Sequence, residues 1–298
     1  LGEGEKQMIV LHEKAALDKP LPDGRYFLSL SIPKTEEVLL EKAFLVKKYD
    51  WLGNSLGKAD KILSPFTPLQ VRGDTLSCLL REYKIGGNGL PSEVTTLEKQ
   101  ILAGPVTLNF VKGKQVTALR GKGKAEIRKL SDTAVEYKAD SEQGVEVKGR
   151  LEQDGLLRLD LRFPETLEAD RVYMDIPVRK EFAVLFHAVG EHIRANPAGF
   201  VPEGKGTVFQ SRSVQQIHVS NFLPYIWVGT DDRGICYAAD WDRGWVHTKD
   251  RDAVELFRHP NGDVSIRLNL LNAPFQIKKD HTVTLALMAS PVKPMPEG

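Results

Sequence analysis

Four carboxylates and three indoles crowd one stretch of this chain: Asp231, Asp232, Asp240 and Asp242 alternate with Trp227, Trp241 and Trp245. An indole face covers the C–H surface of a sugar ring, and carboxylates accept its hydroxyl hydrogens. Glycoside hydrolysis likewise needs two carboxylates across a scissile bond. The stretch therefore points to saccharide, with Trp241, Trp245 and Trp227 as ring contacts and Asp240, Asp242 and Arg243 as hydrogen-bonding groups. Turn chemistry offers a competing account. In Asp232-Arg-Gly234 and Asp242-Arg-Gly244 an Asp able to accept backbone N–H bonds precedes a Gly tolerant of positive φ. On that account the tryptophans belong to a core.

Other constellations carry less. His187-Ala-Val-Gly-Glu-His192 is one residue too long for an inverted zinc-protease motif, Gly190 weakens a helix there, and no third ligand stands nearby. No metal is expected. Gly86-Gly-Asn-Gly89 and Gly121-Lys-Gly-Lys124 lack the spacing of a dinucleotide or phosphate loop and read as turns, so no cofactor is expected. Cys78 and Cys236 lie in separate apolar runs and read as buried free thiols. No serine sits in a nucleophile elbow.

The elements that must position these residues are strands. Leu156-Leu-Arg-Leu-Asp-Leu-Arg-Phe163 alternates apolar and polar residues, and Tyr26 to Ile32, Thr75 to Ile85, Val145 to Leu151, Val172 to Val178 and Thr282 to Met288 follow the same period. Pro22-Asp-Gly24, Gln153-Asp-Gly155 and Pro260-Asn-Gly-Asp263 punctuate them as turns. Ser92 to Ala103 carries a cap-like start and is expected to be a short helix; Thr35 to Lys47 fits helix or strand. The fold class is all-β: an antiparallel β-sandwich or supersandwich, galactose-mutarotase-like, with few short helices. Residues 1–290 are expected to form this region, with a break between packed sub-sheets near residue 150. Pro291-Val-Lys-Pro-Met-Pro-Glu-Gly298 reads as the start of a linker.

Charge and hydropathy narrow the partners. The 298 residues hold 41 Lys and Arg against 40 Asp and Glu, so nothing steers the chain to nucleic acid or an anionic membrane. No apolar run reaches the roughly 20 residues of a membrane-crossing helix.

Ordered short motifs resemble a bacterial family of large glycoside-hydrolase-domain-containing proteins related to glycoside hydrolase family 123. They are Asn54-Ser-Leu-Gly-Lys-Ala-Asp-Lys61, Pro65-Phe-Thr-Pro-Leu69, Gly89-Leu-Pro91, Phe186-His-Ala-Val-Gly190, Asn196-Pro-Ala-Gly199, Pro224-Tyr-Ile-Trp-Val-Gly229, Gly234-Ile-Cys-Tyr237, Asp242-Arg-Gly-Trp245 and Ala289-Ser-Pro-Val-Lys-Pro294. The resemblance implies a β-region preceding a catalytic (β/α)-barrel, with periplasmic or extracellular export. It implies a non-catalytic accessory domain whose partners are a glycan and the barrel of the same protein. Phe209-Gln-Ser211 departs from the family's Trp-Asp-Ser-like stretch. The adjacent acids of family 123 lie in its barrel, so Asp231-Asp232 does not inherit their role. Two alternatives stand beside this reading. One is a sugar epimerase or lyase drawing its acid and base from His187, His218, His247, Glu191 and Asp240. The other is a purely structural interaction module.

Overall fold

A computed structural model describes residues 21–31, 35, 38–57, 61–190, 196–214 and 221–295. The chain divides into two compact units, Leu1–Ala59 and Asp60–Gly298. In the first, Gly24–Ser31 and Val38–Val46 pair as an antiparallel hairpin. The ambiguous segment Thr35 to Lys47 is thus largely strand, as the β-branched and aromatic residues Val38, Phe44 and Val46 favour.

The second unit is a β-sandwich. Its larger sheet has nine strands, in the order Glu126–Lys129, Ala134–Asp140, Glu146–Glu152, Leu157–Arg162, Thr282–Ser290, Gly234–Ala238, Tyr225–Gly229, Leu185–Val189 and Ala198–Phe200. A six-stranded sheet follows the order Gly206–Gln210, Val254–Arg258, Val264–Asn272, Arg171–Val178, Thr107–Lys112 and Gln115–Ala118. A five-stranded sheet runs from Gln70–Arg72 through Thr75–Cys78, Arg81–Ile85 and Pro91–Thr96 to Lys99–Gln100. All named strand pairs are antiparallel.

The period-2 pattern explains the packing. Leu157, Leu159 and Leu161 turn one way and Val172, Met174, Ile176 and Val178 turn to meet the same core, with Leu256, Ile266, Leu268, Leu285 and Leu287. Gly149 belongs to that inner face because Tyr137 needs its space. A Cβ on Gly149 would come within 2.0 Å of the Tyr137 ring. The ring instead crosses the glycine, and its hydroxyl donates to the Gly89 carbonyl at 3.0 Å.

The outer face of the nine-stranded sheet is charged. Glu136, Arg150 and Arg158 are neighbours in register, as are Lys138, Lys148 and Asp160. Arg150 reaches Glu136 at 2.9 Å and Glu152 at 3.1 Å, and Arg158 reaches Asp160 at 3.0 Å. An open groove of about 630 Å³ on this face is lined by these mutually paired groups. Such exposed pairs contribute ~0–1 kcal/mol each and keep the face soluble.

The five-stranded sheet clasps the end of Thr282–Ser290, the central strand of the nine-stranded one. Tyr83 Oη donates to Gly155 O and accepts from Ala289 N, both at 2.9 Å, and Thr96 Oγ1 donates to Ser290 O at 2.8 Å. Arg81, almost fully buried, donates to the carbonyls of Leu79, Ala289 and Val292 at 3.0–3.1 Å.

One expectation fails here. Ser92 to Ala103 is not a helix but the strand Pro91–Thr96, a tight turn and the strand Lys99–Gln100. The run Val94-Thr-Thr96 is β-branched, and Val94 finds Tyr83 as its cross-strand partner. Leu97 and Glu98 take the turn at positive φ, 46° and 64°. Among the described residues the helical content is a single 3-10 turn, Ser211–Ser213. Cys78 and Cys236 are buried and unpaired, and burial pushes both thiols up to about 11.

Candidate functional site

The strand Gly234–Ala238 ends in a loop that folds back over the edge of the core. Tyr237 points inward from the strand, and Trp245 returns to cover it, with ring centres 6.0 Å apart. Phe222 meets Trp245 edge-on at 5.4 Å, and His247 stacks on it at 6.0 Å. Trp245 is only 7% exposed. The loop is tied down at several points. Trp245 N donates to Asp242 O at 2.9 Å, Val246 N to Leu270 O at 2.8 Å, and Asn272 Nδ2 to Val246 O at 3.0 Å. His281 Nε2 lies 2.7 Å from Gly244 O. Gly244 sits at φ +86°, and a Cβ there would come within 2.2 Å of the Thr282 carbonyl. Glycine lets the loop lie flat against that strand.

Above the anchor the surface is polar. Asp240, Asp242 and Arg243 are exposed. His247 Nε2 and Asp242 Oδ2 are 3.1 Å apart. Trp241 is 57% exposed, with the Arg243 guanidinium 5.7 Å from its ring centre. Burial, then the charge of Asp242, holds the Tyr237 phenol well above its ordinary 10. Tyr237 Oη, Trp245 Nε1, His247 Nδ1 and Asn272 Oδ1 are buried and have no hydrogen-bond partner among the described residues.

The structure therefore brings together five of the six residues singled out from sequence, in two different roles. Trp241, Asp240, Asp242 and Arg243 face solvent; Trp245 is the anchor beneath them, its ring covered by protein. Trp227 is elsewhere. Its neighbours Ile226 and Val228 point into the core, so it points to the opposite face of the nine-stranded sheet. There its Nε1 donates to Ser290 Oγ at 3.1 Å. His187 shares that outer face, in register with Trp227. The acid–base set of an independent enzyme is thus split: His187 lies on one side of the sheet, and His247 and Asp240 belong to the loop. His218 and Glu191 lie outside the described residues. Phe222, Tyr237, Asn272 and His281 complete the loop's support; Tyr237 stood in the sequence only as the end of Gly234-Ile-Cys-Tyr237, and Phe222, Asn272 and His281 carried no motif.

Asp231-Asp232-Arg233 is a hairpin turn. Asp232 accepts from Thr230 Oγ1 and from Arg233, both at 2.6 Å, while Arg233 also donates to the carbonyls of Thr96 and Leu97. The Arg233 and Thr230 hydrogen bonds lower the Asp232 carboxyl from 3.8 to about 2. Its folded-state value is depressed, so its contribution is full above about pH 4 and is lost as pH falls through 2. Because the side chain is half exposed, that contribution is less than ~1 kcal/mol. A carbon-detected NMR titration is expected to give a midpoint near 2 for Asp232; a midpoint at the ordinary value would disprove the turn's hold on it. Among the described residues no three His, Cys, Asp or Glu group as a metal site.

The family model "Glycoside hydrolase 123, third domain" matches residues 69–241, more than half of the chain. The match begins at Leu69, one residue before the five-stranded sheet, and ends on the exposed Trp241. No curated protein matches the chain. The chain belongs to the glycoside hydrolase 123 third-domain family.

Proposed function

We propose that this chain is a non-catalytic accessory β-sandwich of a glycoside hydrolase and that its 240–247 loop holds saccharide. The observation that carries the proposal is the exposed Trp241 indole, set between Asp240, Asp242 and Arg243 on a loop anchored from below by Trp245. A loop already tied by backbone and side-chain bonds loses little freedom when a ligand arrives. The indole offers area for sugar C–H groups, and the carboxylates and guanidinium take hydroxyls. On this reading the protein works in the periplasm or at the cell surface, beside a catalytic barrel.

Affinity electrophoresis over a panel of soluble glycans tests it. At least one glycan is expected to retard the domain, and Trp241→Ala is expected to weaken that retardation about tenfold or more, on the ~1.4 kcal/mol that such a factor represents. If no glycan retards the wild-type domain, saccharide binding fails, and the exposed indole is assigned instead to contact with the barrel.

A further inference from the structure

The five-stranded sheet turns a polar row to solvent. Gln70 faces Ser77 in register, Ser77 faces Glu82, and Glu82 faces Thr95. Their chain neighbours Leu76, Tyr83 and Val94 point the other way, into the core. Three strand spacings, about 14 Å, separate Gln70 from Thr95. Two adjoining grooves follow the row. One, of about 660 Å³, is lined by Ser77, Glu82 and Thr95 together with Leu80, Leu97 and Glu98. The other, of about 220 Å³, is lined by Gln70, Arg72, Ser77 and Glu82 among others. Ser77 and Glu82 belong to both, so the depression runs across four strands.

Much of the row's bonding capacity is unspent. Ser77 Oγ donates to Glu82 Oε1 at 3.2 Å, and Arg72 donates to Gln70 Oε1 at 3.0 Å. Thr95 Oγ1 and the Gln70 side-chain nitrogen have no hydrogen-bond partner among the described residues. Glu82 and Glu98 are exposed, and neither forms an ion pair among the described residues.

One wall of the groove is apolar and strained. Leu80 and Leu97 stand there half-buried, at φ 65° and 46°. Positive φ is an unfavourable place for a bulky side chain and persists where the surroundings hold it. Here they do. Leu97 N donates to Leu80 O at 3.0 Å and joins the two turns. Arg81 grips the first turn through Leu79 O at 3.1 Å, and Arg233 the second through Thr96 O and Leu97 O at 3.2 and 3.3 Å. The wall is fixed before a ligand arrives, which lowers the ordering cost of binding.

This arrangement selects its ligand. Hydroxyl and amide groups repeated at the strand spacing suit a chain of hydroxyls, and the leucine wall suits C–H surface. The two unpaired carboxylates accept hydroxyl hydrogens and repel anions. We infer that the groove is a second carbohydrate site, taking a neutral oligosaccharide laid across the four strands. It shares no residue with the 240–247 loop. Its saccharide assignment rests on the function proposed above.

NMR mapping of backbone amides in the whole chain tests it, with cellotetraose, xylotetraose, mannotetraose and oligogalacturonate as probes. At least one neutral probe is expected to shift the Ser77, Glu82 and Thr95 amides saturably, equally in the wild type and in Trp241→Ala. Oligogalacturonate is expected to leave them unmoved. The double variant Thr95→Val/Glu82→Gln is expected to weaken the neutral probe about tenfold or more. Both changes lie on the solvent face, and unchanged amide positions elsewhere verify the fold. Shifts confined to residues 240–247 overturn the groove and leave the loop's role standing. Shifts confined to the groove support it and sink the loop's role. Shifts at neither place overturn both. Oligogalacturonate in the groove overturns the neutral assignment, and undiminished binding by the double variant overturns the site.

Discussion

Trp245→Ala is expected to destabilise the domain by about 3–4 kcal/mol, while Trp241→Ala, in the same loop, changes stability by less than ~0.5 kcal/mol. The two indoles differ in what surrounds them. Trp245 is covered by Phe222, Tyr237 and His247, and removing it leaves a cavity that the tied-down loop closes poorly. The estimate sits in the lower part of the range for buried aromatics because the substitution also removes a buried indole N–H that lacks a partner among the described residues, which offsets ~1 kcal/mol. Trp241 has no such shell, and its loss exposes nothing. Urea denaturation of both variants is the check. Equal, small losses would mean that Trp245 does not anchor the loop, and the ordered platform assumed for saccharide binding would go with it.

Arg81→Met is expected to cost about 3 kcal/mol and to loosen the chain from Ala289 to Val292 in particular. Two effects oppose each other. Arg81 is a buried cation with carbonyl rather than carboxylate partners, so losing it relieves a desolvation cost of several kcal/mol. Losing it also strips the donor from Leu79 O, Ala289 O and Val292 O, at ~1–3 kcal/mol for each that stays dry. Three acceptors outweigh one relieved charge, because Met fills the volume but donates nothing. Arg81→Lys is no rescue: a single ammonium does not reach three carbonyls set around a planar fork. Denaturant unfolding gives the total, and hydrogen exchange at residues 289–292 gives the local part. Unchanged exchange there would show that Tyr83 and Thr96 hold the strand without Arg81.

The sandwich was legible because its signal is local. Leu157, Leu159 and Leu161 alternate with charged residues in the sequence and are fully buried in the core. The Asp-Arg-Gly turns were legible for the same reason: Asp232 and Arg233 meet as chain neighbours. The 92–103 segment misled because a Ser-Glu-Val-Thr start resembles a helix cap, while the β-branched run Val94-Thr-Thr96 favours the strand that forms. The three tryptophans could not be sorted by type. Trp227 leaves the site through strand parity, which pairing with Cys236 fixes, and Trp245 turns inward only because Gly244 admits the backbone against Thr282.

The strand Thr282–Ser290 is the last described strand of the chain, yet it lies fifth in the nine-stranded sheet, between Leu157–Arg162 and Gly234–Ala238. During synthesis, then, two four-stranded half-sheets must wait with facing backbone edges unpaired until the ribosome releases their shared centre. At ~5–20 residues per second the Leu157–Arg162 edge stands open for roughly 10 s. Closure is a keystone step: it joins distant parts of the chain at once, so assembly is slow and cooperative rather than progressive. A nascent chain halted before this strand carries two sticky edges instead of a domain, which makes the translating polypeptide, rather than the finished sandwich, the form most in need of a chaperone.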